Sequence, residues 1–433
     1  MRIAVVALGK IGLPLAVQFA DAGHDVVGVD VNAALVDLVN AGVAPFPGEA
    51  QLAEKLAALV PAGRLRATTD YADAIPTAEA VVLVVPLFVD EATAQPDFGW
   101  MDDATRSLAA HLAPGTLVSY ETTLPVGTTR GRWKPLLEEV SGLVEGRDFH
   151  LVFSPERVLT GRVFADLRRY PKLVGALSPE GAARATAFYE AVLTFDERTD
   201  LPRPNGVWDL GSAEAAEMAK LAETTYRDVN IGLANQFGLF AEKVGIDIAA
   251  VIEACNSQPY SHIHRPGIAV GGHCIPVYPR LYLSVDPDAS IVREARAVNA
   301  AMPERVVARA AELLGDLAGL RVAVLGASYR GGVKETAFSG VFATVDALRS
   351  RGAHVLVEDP MFTDEELVAR GWEPYHLGEA VDVVVVQADH AQYRTLTPQD
   401  VPGVRLLVDG RRVTDAALWT GVPRVVVGAG TPA

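Results

Sequence analysis

Cysteine and basic residues are both scarce in this chain of 433 residues. It contains 2 cysteines, and 38 lysines and arginines stand against 54 aspartates and glutamates, which gives a formal net charge of −16. Two cysteines in different sequence contexts make neither a disulfide framework nor a zinc site. An acidic protein lacks the basic surface that nucleic acid or anionic lipid requires. We therefore expect no nucleic-acid partner and no metal, and an anionic substrate would need a locally basic pocket.

The N-terminus lacks the features of a leader or a membrane anchor. The chain runs from Met1 directly into an apolar strand pattern that ends at Val6, without a basic region, a cleavage site or an apolar run long enough to cross a bilayer. Hydrophobic residues make up 50% of the composition, and the length predicts two or three domains. We expect a globular cytoplasmic enzyme with no membrane partner.

The first residues have the pattern of a dinucleotide-binding unit. The strand pattern is followed by the turn Gly9-Lys10-Ile11-Gly12 and a helical pattern, and a second apolar run ends in Asp30. Free N–H groups at the start of the helix can bind a pyrophosphate, and the Asp30 carboxylate can bind a ribose diol, which favours NAD over NADP. Ala7 stands where the usual fingerprint has its first glycine. The alternative is a plain packing turn between strand and helix.

Two further apolar runs end in loops that we expect to border the nicotinamide. The run Ala80 to Val85 is closed by Pro86, and the run Thr116 to Tyr120 leads into a polar loop that contains Thr123. In a doubly wound sheet, ligands bind at the carboxyl ends of the strands. Val85, Pro86 and Thr123 are therefore predicted to lie beside the cofactor.

The next apolar run, His150 to Phe153, leads into Glu156 and Arg157. A carboxylate and a guanidinium at such a strand end can orient water and bind an anion. The alternative is an ion pair on the surface.

A long helix is predicted from Gly211 to Val244, where no proline interrupts the pattern. A helix of this length commonly spans two domains, and its apolar face can pair with a second subunit, so we expect a homodimer. Lys220, Thr224 and Arg227 share one stripe of this helix. A solvated charged face is one interpretation of the stripe, and a buried ammonium that faces an oxyanion is the other.

A thiol follows two glycines at Gly271-Gly272-His273-Cys274. Glycines allow a tight turn and a close approach of ligand, and a nearby imidazole or cation favours the thiolate, so this pattern is typical of a nucleophilic cysteine. The alternative is a buried, inert cysteine in a tight turn.

The last part of the chain restarts the strand and turn pattern. The run Arg321 to Leu325 precedes a turn that contains Tyr329 and Arg330, and further apolar runs follow. The predicted fold class is α/β, with two doubly wound Rossmann-like domains joined by a long central helix. The predicted domains are an NAD-binding domain at residues 1–200, a central helical domain with the cysteine loop at 201–310, and a nucleotide-sugar-binding domain at 311–433.

These motifs together make the chain resemble the nucleotide-sugar 6-dehydrogenases, the superfamily of UDP-glucose, UDP-N-acetylmannosamine and UDP-N-acetylglucosamine dehydrogenases. The resemblance covers nearly the whole length. The six motifs that carry it are Gly9-x-x-Gly12-Leu13-Pro14, Thr123-x-Pro125-x-Gly127-Thr128, Pro155-Glu156-Arg157, Glu217-Met218-x-Lys220, Arg227-x-Val229-Asn230-Ile231 and Gly271-Gly272-His273-Cys274-Ile275-Pro276.

The resemblance implies a four-electron oxidation of a sugar C6 alcohol to a carboxylate with NAD, through a thiohemiacetal and a thioester on Cys274. Lys220 would stabilise the alkoxide, and Glu156 with Thr123 would position or activate the water that hydrolyses the thioester. The residues expected to bind the substrate are Glu156, Arg157, Lys220, Thr224, Arg265, Gly271, Gly272, Tyr329 and Arg330.

The sequence departs from the family pattern mainly on the substrate side. Thr224 stands at a usual asparagine, Tyr278 at a usual aspartate and Ala337 at a usual arginine. We therefore predict retained cofactor and thiol chemistry with an unusual nucleotide sugar as substrate. Two alternatives remain: a two-electron dehydrogenase, and a catalytically weak regulatory protein that binds NAD or a nucleotide.

Overall fold

The computed structural model describes residues 1–90, 93 and 95–430. The chain divides into two compact units, Met1–Ala222 and Glu223–Ala433. We call them the first and the second unit. Within the described residues, no helix is long and apolar enough to cross a membrane.

The first unit is built on an eight-stranded sheet with the strand order β10-β9-β8-β7-β4-β1-β2-β3. All neighbouring strands pair in parallel except β8 and β9, which are antiparallel. A separate antiparallel pair is formed by β5 and β6. The strands are β1 (Arg2–Val6), β2 (Asp25–Val29), β3 (Leu65–Thr68), β4 (Ala80–Leu83), β5 (Phe88–Val89), β6 (Pro96–Asp97), β7 (Leu117–Tyr120), β8 (His150–Phe153), β9 (Lys172–Ala176) and β10 (Val207–Asp209).

Helices cover both faces of this sheet, which explains why its central strands are apolar throughout. In β4 and β7 every residue is buried, as expected for parallel strands with helices on both sides. Two apolar cores result, one on each face of the sheet. The helices are α1 (Gly12–Asp21), α2 (Ala33–Asn40), α3 (Leu52–Leu59), α4 (Tyr71–Ala74), α5 (Gly99–Ala109), α6 (Lys134–Ser141), α7 (Val163–Arg169) and α8 (Pro179–Val192), with a π-helical turn at Thr129–Trp133.

The second unit contains a six-stranded sheet in the order β13-β12-β11-β14-β15-β16, and its neighbouring strands are all parallel. The strands are β11 (Arg321–Leu325), β12 (His354–Glu358), β13 (Glu373–Pro374), β14 (Val383–Val386), β15 (Leu406–Asp409) and β16 (Arg424–Val426). The helices are α10 (Ile248–Asn256), α11 (Tyr278–Leu283), α12 (Ser290–Leu314), α13 (Val341–Arg349) and α14 (Asp364–Val368), with short 3-10 helices at Ala391–Thr395, Pro398–Asp400 and Ala416–Leu418.

The remaining helix, α9, covers Ala213–Val244 in one stretch of 32 residues and runs across the boundary between the units. It begins two residues after the start that the sequence predicts. In both sheets the first strand is central and the order reverses beside it, which is the doubly wound topology. The predicted fold class is therefore confirmed. The three-domain division of the sequence stays a prediction.

Candidate functional site

The turn after β1 is shaped by the residues of the predicted dinucleotide motif. Ala7 has a φ of 72°, a left-handed conformation that glycine adopts most readily, so it occupies the glycine conformation with an alanine. A Cβ atom at Gly12 would overlap with the carbonyl oxygen of Ala7. A glycine at position 12 is therefore required for α1 to begin this close to the turn.

Asp30 follows β2 at the same edge of the sheet. Its Oδ2 accepts a hydrogen bond of 2.7 Å from the N–H of Leu8, and its Oδ1 accepts one of 2.9 Å from the N–H of Asn32. These contacts fix the carboxylate beside the glycine turn. This is the relative placement that a ribose-binding carboxylate needs in a dinucleotide fold.

The residues around this turn fit a dinucleotide. Among the described residues, no heavy atom beyond Gly9 and its two chain neighbours lies within 4 Å of the place where a Cβ atom of Gly9 would be, and α1 begins without a side chain from these residues that caps its N–H groups. The order reverses between β1 and β4, and ligands bind at such a switch point. Gly9, Lys10, Ile11, Gly12 and Asp30 are thus the residues that would hold the pyrophosphate and the ribose.

The loops that follow β4 and β7 are tied to each other. The Thr122 hydroxyl donates a hydrogen bond of 2.7 Å to the carbonyl oxygen of Val85, and Thr123 beside it is buried. Pro86 is exposed. Val85, Pro86 and Thr123 therefore lie on two adjacent loops at the carboxyl ends of β4 and β7, where the sequence predicts the nicotinamide.

Glu217 connects the loop after β7 to α9. Its carboxylate accepts hydrogen bonds from the N–H of Gly127 at 2.6 Å and from both the N–H and the hydroxyl of Thr129, at 2.8 and 2.6 Å. Glu217 is fully buried, and burial raises its pKa although these hydrogen bonds oppose the shift. Two of the sequence motifs thus meet through one side chain, which fixes the start of α9 against the loop.

The carboxylate of Glu156 lies in a buried charged cluster. The Lys172 ammonium is 2.9 Å from Glu156 Oε2 and 2.6 Å from Glu121 Oε2, and the Tyr189 hydroxyl donates to Glu121 Oε1 at 2.7 Å. The ion-pair partner of Glu156 is therefore a buried lysine, and the alternative of a surface ion pair is wrong for this carboxylate. Arg157 donates its N–H to Glu156 Oε1 and a guanidinium N–H to the carbonyl oxygen of Pro171.

The two carboxyl groups of this cluster titrate differently. Burial raises the pKa of Glu121 to about 7, although Lys172 opposes the shift. Burial also acts on Glu156, but there the Lys172 ammonium and the Arg157 N–H outweigh it and lower the pKa. The cluster therefore favours the ionised form of Glu156 and the protonated form of Glu121.

Lys220 reaches the same loop from α9. Its ammonium donates a hydrogen bond of 2.6 Å to the carbonyl oxygen of Glu156. Lys220 is 8% exposed and Thr224 is fully buried, so the interpretation of their stripe as a solvated charged face is wrong. A buried ammonium beside Glu156 can stabilise a negative charge that forms on a substrate oxygen.

The cysteine loop belongs to the second unit. Gly272 has a φ of 92° and donates its N–H to the carbonyl oxygen of Ala337 at 3.0 Å. A Cβ atom at Gly271 would lie 2.7 Å from Cβ of Tyr329, so only glycine allows this close packing. The carbonyl oxygen of Cys274 accepts hydrogen bonds from the N–H groups of Val277 and Tyr278, where α11 starts. The side chain of Cys274 is exposed. The exposure contradicts the alternative of a buried cysteine, and the nucleophilic role of the thiol stays a prediction.

Of the predicted cations, Arg330 lies beside this loop. Arg330 donates to the hydroxyl of Tyr329 at 3.4 Å, whereas Arg265 is exposed. The imidazole of His273 is 3.4 Å from the carboxylate of Glu335. Gly271, Gly272, Tyr329 and Arg330 are thus brought together in the second unit, and Glu156, Arg157 and Lys220 are brought together in the first.

Sequence reasoning missed a guanidinium that anchors the glycine loop. Arg411 follows β15 and donates a hydrogen bond of 3.2 Å to the carbonyl oxygen of Ala269, while Ile268 donates its N–H to the carbonyl oxygen of Gly410 at 2.9 Å. Burial lowers the pKa of Arg411 although Asp389 opposes the shift. The signal was an Asp-Gly-Arg-Arg sequence directly after the apolar run of β15.

Sequence reasoning also missed Lys172 and Glu121. A lysine at the start of an apolar run and a glutamate directly after one are the available signals, but only the antiparallel pairing of β9 with β8 brings the lysine to the carboxyl ends of the other strands. Among the described residues, no group of histidine, cysteine, aspartate and glutamate side chains has the arrangement of a metal site.

Three family models match consecutive parts of the chain. Residues 1–193 match the NAD binding domain of the UDP-glucose/GDP-mannose dehydrogenase family, residues 214–301 match its central domain and residues 323–416 match its UDP binding domain. The sequence predicts NAD as the cofactor, and the match of residues 1–193 to an NAD binding domain confirms this prediction. The match also favours the predicted dehydrogenase over a regulatory protein.

Similar proteins match over nearly the whole length. A UDP-N-acetyl-D-mannosamine dehydrogenase of Pyrococcus horikoshii is 34% identical over 95% of this chain and 96% of its own, and an NDP-N-acetyl-D-galactosaminuronic acid dehydrogenase of Ralstonia nicotianae is 32% identical over 96% of each. The solved structure of the UDP-D-ManNAc dehydrogenase from Pyrococcus horikoshii superposes with a TM-score of 0.87, at 31% identity, over 99% of this chain and 100% of that one. The chain therefore belongs to the UDP-glucose/GDP-mannose dehydrogenase family.

Proposed function

We propose that this protein is an NAD-dependent nucleotide-sugar 6-dehydrogenase that oxidises the C6 alcohol of a UDP-hexose or UDP-N-acetylhexosamine to the uronate. The observation that carries the proposal is the contact between the buried Lys220 ammonium and the main chain of Glu156, at the strand ends where the dinucleotide motif also lies. A buried cation at that place has no evident use in a protein that only binds nucleotide.

In the first oxidation, the alcohol loses a proton and a hydride and becomes an aldehyde. Lys220 stabilises the negative charge on the oxygen while the proton leaves. Two NAD molecules, bound in succession by the residues of the dinucleotide motif, would supply the hydride acceptors for this oxidation and the next. The Cys274 sulfur then adds to the aldehyde carbon, and the aldehyde oxygen takes up a proton, so that a thiohemiacetal forms. The side chain of Cys274 is exposed and therefore accessible for this addition.

In the second oxidation, the thiohemiacetal loses a proton and a hydride and becomes a thioester on Cys274. A water molecule then attacks the acyl carbon, and the carbon–sulfur bond breaks with its electron pair on sulfur. Hydrolysis yields the uronate carboxylate, the thiolate and two protons. Glu156, whose pKa is lowered by the Lys172 ammonium, accepts a proton from the attacking water, and Thr123 positions that water.

An N-acetylated sugar is the substrate class that we infer for this site. The similar proteins named above act, by their names, on N-acetylmannosamine and N-acetylgalactosaminuronic acid derivatives. The part of the chain that matches the UDP binding domain begins at residue 323 and so includes Tyr329 and Arg330. We assign substrate contacts to these two residues, to Gly271 and Gly272 beside them, and to the remaining predicted residues Glu156, Arg157, Lys220, Thr224 and Arg265.

We further propose a homodimer that is formed through α9 and works in the cytoplasm. Apolar side chains on this helix are exposed, although an isolated chain gains nothing by exposing them. They are Met218, Tyr226, Leu233, Phe237, Phe240 and Val244. The three-domain division at 1–200, 201–310 and 311–433 belongs to the same proposal.

The test is an assay of the purified protein with NAD and a panel of nucleotide sugars, in which NADH formed and sugar consumed are both counted. Two NADH per sugar, with an N-acetylhexosamine derivative as the best substrate, is the expected result. One NADH per sugar would replace the proposal by the two-electron dehydrogenase. No NADH with any nucleotide sugar would reject it.

A further inference from the structure

The charged cluster behind Glu156 contains more groups than the proposed hydrolysis uses. Lys172 is 4% exposed and Glu121 is 1% exposed, and neither belongs to the motifs that carry the resemblance. A buried ammonium and a buried carboxylate are costly to desolvate, so each needs a partner that compensates its charge. Lys172 has two such partners, at 2.6 and 2.9 Å.

The cluster is assembled by the reversal of one strand. Because β9 runs antiparallel to β8, its first residue, Lys172, lies beside the carboxyl end of β8, where Glu156 follows. Glu121 directly follows β7, the neighbour of β8. Lys172 therefore lies between two carboxyl groups that adjacent strands deliver, and it borders a pocket together with Glu156 and Arg157.

Glu121 and Glu156 share the ammonium of Lys172. Within the cluster one ammonium pairs with two carboxyl groups, and burial raises the pKa of Glu121, so Glu121 is the group that takes up a proton near neutral pH. Glu121 is the deeper group, and the Tyr189 hydroxyl bonds both to it and to the hydroxyl of Ser119, each at 2.7 Å. The titratable and charged groups around Glu156 are Glu121, Lys172 and Arg157, Lys220 at its carbonyl oxygen, Asp166 and Tyr170 on the same pocket and, behind Glu121, Tyr189.

We propose that Lys172 is a positioning residue that keeps the Glu156 carboxylate ionised and oriented for hydrolysis of the thioester, and that Glu121 sets the pH at which it does so. The inference rests on the proposed function. Without the ammonium, Glu156 would be a buried carboxylate without a cation on that side, and it would take up a proton. A protonated Glu156 cannot accept the proton of the attacking water.

The expected defect is confined to one step. Both hydride transfers precede hydrolysis, so loss of Lys172 leaves them in place and delays only the release of the uronate. The thioester on Cys274 then accumulates. A residue that merely supports the fold would slow all steps together and would leave the pH profile unchanged.

The test compares Lys172→Met, Lys172→Arg and Glu121→Gln with the matched control Lys134→Met, which removes a partly exposed lysine paired with Glu138 at 2.7 Å. Lys172→Met is expected to show a burst of two NADH per site and then a steady rate reduced by about 100-fold or more, with the acyl-enzyme detected by intact mass. The acidic limb of its pH profile should move to higher pH. Lys172→Arg should restore the limb, and Glu121→Gln should move it to lower pH.

A Lys172→Met enzyme with neither a burst nor a shifted limb would overturn the inference while the proposed function stands. If Lys172→Met does not fold, a Glu121→Gln limb that stays in place or moves to higher pH overturns it equally. If the wild type and Lys134→Met form no NADH from any nucleotide sugar, the proposed function itself fails, and the inference falls with it.

Discussion

Lys220 Nζ lies 2.6 Å from the carbonyl oxygen of Glu156, so a side chain of α9 and the loop after β8 meet inside the first unit. These two residues belong to separate sequence motifs, and the hydrogen bond joins them. The ammonium is held by main chain, which cannot move away as a flexible side chain can. Its position is therefore preorganised, which is the property that makes a cation effective against a developing oxyanion.

Replacement of Lys220 by methionine should reduce kcat by about 100- to 1,000-fold, because the alkoxide of the first oxidation loses its cation. The KM for the nucleotide sugar should change much less. Steady-state NADH formation measures both constants. Lys243→Met, on the exposed side of the same helix, is the matched control and should keep the wild-type kcat. Equal losses in the two variants would contradict the role of Lys220.

The glycines of the first turn should respond differently to alanine. Gly12→Ala is expected to destabilise the fold by about 2 kcal/mol or more, because the added methyl overlaps with the carbonyl of Ala7. Gly9→Ala meets open space and should leave the free energy of unfolding within about 0.5 kcal/mol of the wild type. It should still weaken NAD binding, since the methyl occupies space expected for the pyrophosphate.

Denaturant unfolding and titration with NAD separate these two effects. Gly131→Ala, which also meets open space but lies outside the turn, is the control for both measurements. If Gly9→Ala bound NAD as tightly as the wild type, the pyrophosphate would have to lie elsewhere.

The stability of the protein should depend on the ionisation of Glu121. Burial raises its pKa from 4.5 to about 7, so folding favours the protonated form. Its stabilising contribution is complete below pH 4.5 and is lost as the pH rises through 7. Between pH 4.5 and 7 the free energy of unfolding of the wild type should fall by roughly 1 to 3 kcal/mol relative to that of Glu121→Gln, which cannot ionise. Urea unfolding over this range measures the difference, and a constant difference would contradict the assignment.

The apolar side chains of α9 predict the assembly state. Phe240 is 60% exposed and Tyr226 is 55% exposed, and both are typical of residues that a second copy covers. Phe240→Asp should convert a dimer to a monomer in sedimentation experiments at the same concentration. Val368→Asp, at an exposed position on α14, should leave the dimer unchanged. A monomeric wild type would reject the proposed dimer.

The sequence predicts best what depends on neighbours along the chain. The apolar runs of β1, β8 and β11 have the predicted bounds, and the uninterrupted pattern of α9 ends at the predicted residue, Val244. Strand β4 is shorter than its apolar run, because the pairing with β1 stops at Leu83. Local periodicity was thus sufficient to predict both sheets and the long helix.

The parts of the site that depend on contacts between distant segments were not predictable. Lys172 reaches Glu156 only because β9 reverses its direction, and Arg411 reaches the glycine loop only through the end of β15. No spacing rule connects residues so far apart in sequence. Helical spacing predicts that Lys220 and Thr224 lie on one side of α9. It does not predict that both are buried, because burial depends on tertiary packing.

Covalent capture by Cys274 is tested most directly by comparing Cys274→Ala with Cys255→Ala, the only other thiol of the chain. Uronate and NADH are measured with the best nucleotide sugar, and the enzyme is examined by intact mass for a sugar acyl group. Cys255→Ala should form two NADH per sugar at the wild-type rate. Cys274→Ala should form uronate at least about 1,000-fold more slowly than the wild type and should carry no acyl group. Uronate formation by Cys274→Ala at the wild-type rate would contradict the proposed mechanism.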